Sequence, residues 1–251
     1  MTDLTGRVVV VTGGNGGIGL GMAEALAGAG ADIAVWGRNA DKNASAVDQL
    51  QSHGTRVQAF AVDVGDEEQV VTTFAATLDA FGQVDSLIAN AGIGGGGPFT
   101  GLTLDAWRRV QRVNSEGAFL CFREAAAHMV ERGEGGSLIG VSSTSAIHGA
   151  PANQSYAHSK AGLLAMIRGL AVELARYGIR CNSILPGWTE TDMTAMATSN
   201  EKFMEATTKR TPVRRWGVPA DLGPAAVFLA DPTNAFHTGD MIVVDGGYTV
   251  F

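Results

Sequence analysis

The sequence predicts a doubly wound α/β fold: one domain built on a parallel, seven-stranded sheet with helices on both faces. Three observations carry this expectation. Short runs rich in Val, Ile and Leu alternate strictly with longer helical patterns, the rhythm of strand–helix–strand units with right-handed crossovers. The runs are almost continuously apolar rather than alternating, as strands covered on both faces are. Glycine supplies 34 of 251 residues, nearly twice the usual roughly 7%, so many tight turns are expected.

Taken in order, strands are read at Val8 to Thr12, Asp32 to Trp36, Val57 to Ala61, Ser86 to Ala89, Ser137 to Ser142, Arg180 to Ile184 and Met241 to Val244. Helical spacing fills the intervals at Ile18 to Ala29, Asp41 to His53, Glu67 to Phe81, Leu104 to Arg132, Ser155 to Tyr177 and Pro219 to Ala230. Two segments break the rhythm. Gly94 to Gly97, followed by Pro98, cannot hold a helix or a rigid strand. Residues 188–215 show no strand pattern and only weak helical character near Glu201 to Lys209. In a sheet of this kind both segments emerge at the carboxyl ends of strands, where ligands bind, and the second is read as a substrate lid. No Ser/Pro-rich linker, charge block or internal repeat divides residues 1–251, so a single domain is expected.

A net charge of −7 disfavours a nucleic-acid partner. Cys121 and Cys181 are too few and too far apart for a disulfide framework or a zinc site, which fits a reducing, cytoplasmic setting. The chain start lacks the basic, apolar and small-residue sequence of a secretion signal, and no apolar stretch approaches the ~18 residues of a membrane span. His53, His128, His148 and His237 show no metal-ligand spacing, so no metal is expected. His148 follows Ser143 closely enough to reach a substrate.

After the first strand comes Thr12-Gly13-Gly14-Asn15-Gly16-Gly17-Ile18-Gly19, opening the first helix. Glycines there let the backbone turn sharply and approach a pyrophosphate, while the helix N-terminus offers free amides and the positive end of its dipole. The spacing Thr-Gly-x-x-x-Gly-x-Gly resembles the short-chain dehydrogenase/reductase family, and the later motifs follow in the family's order. Asp63-Val64 follows the third strand, Asn90-Ala91-Gly92 the fourth and Ser143 the fifth. Asn114 lies in a helix, Tyr156-Ala-His-Ser-Lys160 opens another, and Pro186-Gly187 ends the sixth strand. The resemblance runs from Thr5 to Tyr248 and is to the single-domain members of ~250 residues, similar to 3-oxoacyl-acyl-carrier-protein reductases and glucose dehydrogenases. It implies a Rossmann fold and an NAD(P)(H)-dependent oxidoreductase interconverting a secondary alcohol and a ketone. A nucleotide-binding regulator without chemistry, and a dehydratase or epimerase on the same fold, are the rival readings. Intact Asn114, Ser143, Tyr156 and Lys160 favour the enzyme.

Tyr156 and Lys160, four apart, share one helical face. A neighbouring ammonium is expected to stabilise the phenolate and lower the tyrosine pKa from about 10, suiting Tyr156 to give a proton to a carbonyl oxygen and take it back. Ser143 is expected to donate a hydrogen bond to the same oxygen, with Ser142 turned away and Ser145 lining the substrate pocket together with Trp188. By the resemblance Lys160 also binds the nicotinamide ribose, and Asn114 holds a water relay to the lysine. An asparagine in an apolar helix is equally readable as a structural tie. His158, two residues from Tyr156, faces a surface or interface.

Cofactor choice in this fold is decided after the second strand. There Gly37 occupies the position of the carboxylate that binds NAD, and Arg38-Asn39 follows, with a guanidinium suited to a phosphate. NADP is the expected cofactor and NAD the alternative. The glycine turn itself carries no basic residue. Carried over from the family, Asp63 and Val64 hold adenine, Asn90 to Gly92 the ribose region, and Pro186, Gly187, Trp188, Thr189 and Thr191 the nicotinamide end. Trp188, Met193, Met196, Phe203 and Met204 would make the lid partly apolar, and Arg210, Arg214 and Arg215 offer an anion site or, more simply, surface ion pairs. The partner is a small-molecule alcohol or ketone. Apolar residues on more than one face of the helices at 104–132 and 155–177 suggest pairing of subunits in a homotetramer.

Overall fold

The computed structural model describes residues 2–251. Its strands are β1 (Val8–Thr12), β2 (Asp32–Gly37), β3 (Val57–Ala61), β4 (Ser86–Ala89), β5 (Gly136–Val141), β6 (Ile179–Pro186) and β7 (Met241–Val244). They form one sheet in the order β3-β2-β1-β4-β5-β6-β7, and every pairing is parallel. Between β1 and β4 the chain reverses its direction of winding, which opens a crevice at the carboxyl ends of those strands.

The helices are α1 (Gly17–Gly28), α2 (Ala40–Gln51), α3 (Glu67–Phe81), α4 (Leu104–Gln111), α5 (Gly117–Arg132), α6 (Gln154–Leu174), α7 (Ala195–Thr198), α8 (Glu201–Arg210) and α9 (Gly223–Ala230). Two cores flank the sheet. One packs Phe74, Phe122, Met129 and Leu163 against Val10, Trp36 and Leu138. The other packs Met22, Leu26, Leu222 and Leu229 against Val9, Val11, Ile33 and Ile139. Successive strand residues thus feed opposite layers, and the central strands β1 and β4 are buried throughout.

The seven strands fall where the apolar runs place them, with β6 two residues longer at its carboxyl end. The expected single helix from Leu104 to Arg132 is instead two helices joined by a π turn, Arg112–Glu116. Asn114 sits in that turn, and its side chain needs backbone partners on the neighbouring strand loop, which a straight helix does not reach. The helix read as Pro219 to Ala230 begins as a 3₁₀ turn, Pro219–Leu222. Gly21 of α1 packs directly on that turn, a Cβ there falling 2.5 Å from the Pro219 carbonyl.

Residues 190–216 leave the sheet as one excursion whose ends are pinned together. Thr189 and Gly217 form an isolated parallel bridge, in which Gly217 N donates to Trp188 O at 2.8 Å and Glu190 N to Gly217 O at 2.9 Å. Inside it Trp188 stacks on Trp216 with centroids 5.1 Å apart, and Phe203 of α8 meets Trp188 edge-on at 5.0 Å. Trp216 is buried and donates to Thr207 Oγ1 at 2.9 Å, so the hydrogen bond fixes the stack.

Candidate active site

A crevice of about 660 Å³ runs along the carboxyl ends of the strands. At its start Gly13 adopts the left-handed region at φ 63°, and Asn90 braces the turn. Asn90 Nδ2 donates to the carbonyls of Thr12 (2.9 Å) and Gly13 (3.2 Å), while Thr12 Oγ1 accepts from the amides of Asn90 and Ala91 at 3.0 Å. Gly19 does not line the crevice; its missing Cβ leaves room for the Gly13 carbonyl. Helix α1 begins at Gly16 with no side-chain cap and no acid in its first turn. Its amides and dipole are therefore free for an anion. A Cβ on Gly16 meets nothing within 4 Å, as a cradle for phosphate requires. Thr191 faces this turn across the crevice, its Cγ2 3.3 Å from where a Gly17 Cβ would lie.

Beyond β2, the exposed Arg38 lines the crevice together with Lys42, a second cation that the sequence reading passed over. Lys42 stands one helical turn after Arg38, and that spacing was the available signal. Its Nζ reaches Asp192 Oδ2 at 2.6 Å, an ion pair from α2 to the excursion. Asn39, expected at the cofactor, is instead the N-cap of α2, accepting from Lys42 N at 2.8 Å, and it lies outside the crevice lining. Gly37 is glycine for a spatial reason. A Cβ there would overlap Asn15 Nδ2 and fall 2.6 Å from Asn43 Oδ1. The buried Asn43, also missed, accepts from Asn15 at 2.7 Å and donates to Gly37 O at 2.9 Å. Asp63 lines the crevice with its carboxylate held by Arg112 at 2.9 Å, and Val64 lies beside it.

Ser143, Tyr156 and Lys160 converge at the far end. Ser143 follows β5 and accepts from Ser145 N at 3.1 Å. Burial pushes the Tyr156 phenol up from its ordinary value, and the hydrogen bond from Ser143 pulls it back. The expected depression by Lys160 is therefore corrected: the Lys160 ammonium donates to Val141 O at 2.7 Å and sits 5.6 Å from the tyrosine ring centroid. Burial brings Lys160 down to about 8. Ser142 Oγ donates to Lys160 O at 2.8 Å, and the residue also borders the crevice.

Asn114 is buried behind this wall rather than in it. Its Oδ1 accepts from Ile93 N at 2.8 Å, and its Nδ2 donates to Ile93 O and Ser159 Oγ, both at 3.0 Å. A Cβ on Gly92 would lie 3.3 Å from Asn114 Oδ1 and 3.5 Å from Lys160 Nζ, so both polar groups border one small space.

The substrate end has two unlike walls. Ser145, Asn153 and His148 form a polar one, with Asn153 Nδ2 donating to Ser145 Oγ at 3.3 Å. His148 Nδ1 is buried without a partner, its ring 5.7 Å from that of Tyr248. Trp188, Phe203 and Met193 form the apolar wall. Met196 is 90% exposed and points elsewhere. Arg215 is held by Asp221 and Arg210 lies over Tyr248; with Arg214, all three stay outside the crevice lining. His158 is exposed, as expected, against Gln111 and Trp107. No group of three or more metal-ligating side chains occurs among the described residues, and no described helix is long and apolar enough to cross a membrane.

The chain is similar to known proteins along nearly its whole length. A family model described as Enoyl-(Acyl carrier protein) reductase matches residues 13–249. An L-rhamnose 1-dehydrogenase (NAD(P)(+)) from Sphingomonas sp. (strain SKA58) is 37% identical over 251 residues, covering 100% of this chain and 99% of the relative. A gluconate 5-dehydrogenase from Gluconobacter oxydans is 33% identical over 248 residues, covering 99% and 96%. The crystal structure of a gluconate 5-dehydrogenase from Burkholderia cenocepacia J2315, in complex with NADP and tartrate, superposes with a TM-score of 0.94 at 34% identity, covering 99% of this chain and 97% of that one. With an uncapped glycine turn leading to a serine, tyrosine and lysine at one crevice end, this chain belongs to the short-chain dehydrogenase/reductase family and is an NAD(P)-dependent oxidoreductase acting between alcohol and ketone.

Proposed function

We propose that the chain interconverts a secondary alcohol and its ketone on a small polyhydroxylated molecule, a sugar or sugar acid, with NADP(H) preferred over NAD(H). The meeting of Ser143, Tyr156 and Lys160 where the crevice passes from the phosphate turn to the two unlike walls carries this reading. Polar groups on one wall suit hydroxyls, while the flat Trp188 and Phe203 faces suit the C–H side of a sugar carbon chain. Similarity to dehydrogenases named for rhamnose and gluconate supports the same class.

In this reading the α1 amides, Asn15 and Ile18 hold the pyrophosphate, and Arg38 with Lys42 receives the 2′-phosphate. Asn90 to Gly92 hold ribose, and Pro186 to Thr191 the carboxamide. The nicotinamide supplies or accepts the hydride. Ser143 Oγ donates a hydrogen bond to the substrate oxygen as negative charge grows there. Tyr156 Oη gives that oxygen its proton in reduction and removes it in oxidation. Lys160 anchors the ribose hydroxyls and, with Asn114 behind it, carries the proton onward. Residues 188–215 act as the lid that excludes water.

The test is turnover with NADPH and NADH against ketoses, keto-acids of sugars and 3-oxoacyl thioesters. Turnover of the hydroxylated ketones with NADPH supports the reading; activity confined to acyl thioesters overturns the substrate class, and NADH preference overturns the cofactor choice. We further read the exposed Phe119 of α5 and Val172 of α6 as subunit contacts of a cytoplasmic homotetramer, which sedimentation at varied concentration tests.

A further inference from the structure

A second cavity, about 130 Å³ in volume, lies among the amino ends of the strands, at the opposite end of the strands from Ser143 and Tyr156. Three arginines meet there. Arg180, the second residue of β6, is 6% exposed; its Nη2 donates to Asp231 O at 3.1 Å, but its Nη1 is buried with no partner. Arg132, which ends α5, donates through Nη2 to Gly135 O at 3.2 Å and lies 3.2 Å from Asp85 Oδ1. Its Nε and Nη1 have no hydrogen-bond partner, since Glu134 Oε2 stands 3.6 Å away, beyond hydrogen-bond reach. Arg7, partly exposed at the mouth, pairs with Asp85 at 3.2 Å.

Of these donors only Arg132 Nε faces a carboxylate, in the long ion pair with Glu134; Nη1 of Arg132 and Nη1 of Arg180 have no hydrogen-bond partner. Asp85 already accepts from Val8 N and Gln83 Nε2 at 2.8 and 2.9 Å, besides the two arginines. Asp231 is engaged by Thr2 and Thr233, and the Glu134 carboxylate is 66% exposed at the rim. Three arginines balance three carboxylates, so net charge does not define the cavity; an excess of buried guanidinium N–H groups does. Unmet donors on buried cations are among the costliest groups a fold keeps. At ~30 Å³ per water in the liquid, the space fits one small tetrahedral or planar oxyanion, whose oxygens match the fork of a guanidinium.

We propose that this cavity is a binding site for a small oxyanion, phosphate or carboxylate, gripped by Arg132 and Arg180 with Arg7 at the entrance. The eight residues of β6, at ~3.3 Å each, separate it from the cofactor crevice. Its occupant therefore does not compete with NADP(H), and it stabilises the fold by binding only the folded state.

The experiment uses the protein saturated with NADPH, so that the phosphate subsites of the crevice are filled. Thermal unfolding is followed against sodium phosphate and, separately, sodium acetate, each matched in ionic strength with sodium chloride. Phosphate in the millimolar range should raise Tm by a few degrees over chloride. Arg180→Lys and Arg132→Lys, which keep the charge but lose the fork, should abolish that rise with NADPH affinity intact. Arg7→Gln, at the open mouth, reads the same contribution should either lysine variant fail to fold. A rise with phosphate alone assigns the site to phosphate, and a rise with both anions to oxyanions generally. No rise above chloride, or a rise that all three variants keep, overturns the proposal.

Discussion

Gly37 shows how a single position can be settled by neighbours rather than by its own chemistry. Its missing side chain makes room for Asn15 and Asn43, so the carboxylate that would read NAD has no space. Gly37→Asp is therefore expected to weaken binding of both cofactors, as nicotinamide fluorescence titration checks. Arg38→Ala should weaken NADPH by roughly tenfold, about 1.4 kcal/mol, and leave NADH nearly unchanged. Tyr156→Phe should lower kcat by about 10²–10⁴ with cofactor Kd held, measured by steady-state rates beside titration. The pH dependence follows from Lys160, which burial brings down to about 8, while burial pushes Tyr156 up so that its phenol stays protonated. Below about 8 Lys160 is an ammonium able to reload Tyr156 with a proton; above it Lys160 is a free amine able to receive the proton that Tyr156 takes from the alcohol. Oxidation should rise with pH through about 8 and reduction fall over the same interval, as initial rates in both directions will show. Tyr156, Lys160 and Ser143 were legible in the sequence because their spacing survives any fold detail. Lys42 was signalled only by its spacing of four from Arg38, and Asn43 by nothing, because a linear sequence does not say that it turns toward Asn15.

At the scale of elements, the π turn at Arg112–Glu116 was invisible in a hydrophobic pattern that runs unbroken from Leu104 to Arg132. A one-residue widening of a helix barely changes apolar spacing, and only the demand of Asn114 for the Ile93 backbone reveals it. Asn114→Ala leaves Ile93 N–H and Ile93 C=O without their partner, while Ser159 Oγ keeps its bond to Tyr156 O. At ~1–3 kcal/mol per orphaned group, discounted for water entry, the loss should be at least about 2 kcal/mol, read as a lower denaturant midpoint at unchanged slope. The short helix α8 was only faintly legible for a related reason, since its Phe203 is held in the cluster with Trp188 and Trp216 rather than by a regular amphipathic stripe, and α7 was not read at all.

For the molecule as a whole, the parallel seven-stranded sheet was readable because strictly alternating strands and helices admit few topologies, while the strand order β3-β2-β1-β4-β5-β6-β7 was not read from the sequence. The crevice inherits its place from that topology. A molecule whose ligand bridges β1, β2, β4, β5 and β6 gains stability across the sheet on binding. NADPH at about a hundred times its Kd should contribute ~2.7 kcal/mol and raise Tm by about 5–10 °C, with a smaller rise from NADH at the same concentration in differential scanning calorimetry. The pinned ends of the excursion, Thr189 against Gly217, carry a consequence for how such enzymes diversify. A segment that leaves and rejoins the body through one clamp is an exchangeable cassette: recombination between those two points would replace Met193 and Phe203 of the apolar wall, and on the cofactor side Thr191 and the Asp192 partner of Lys42 would change with it.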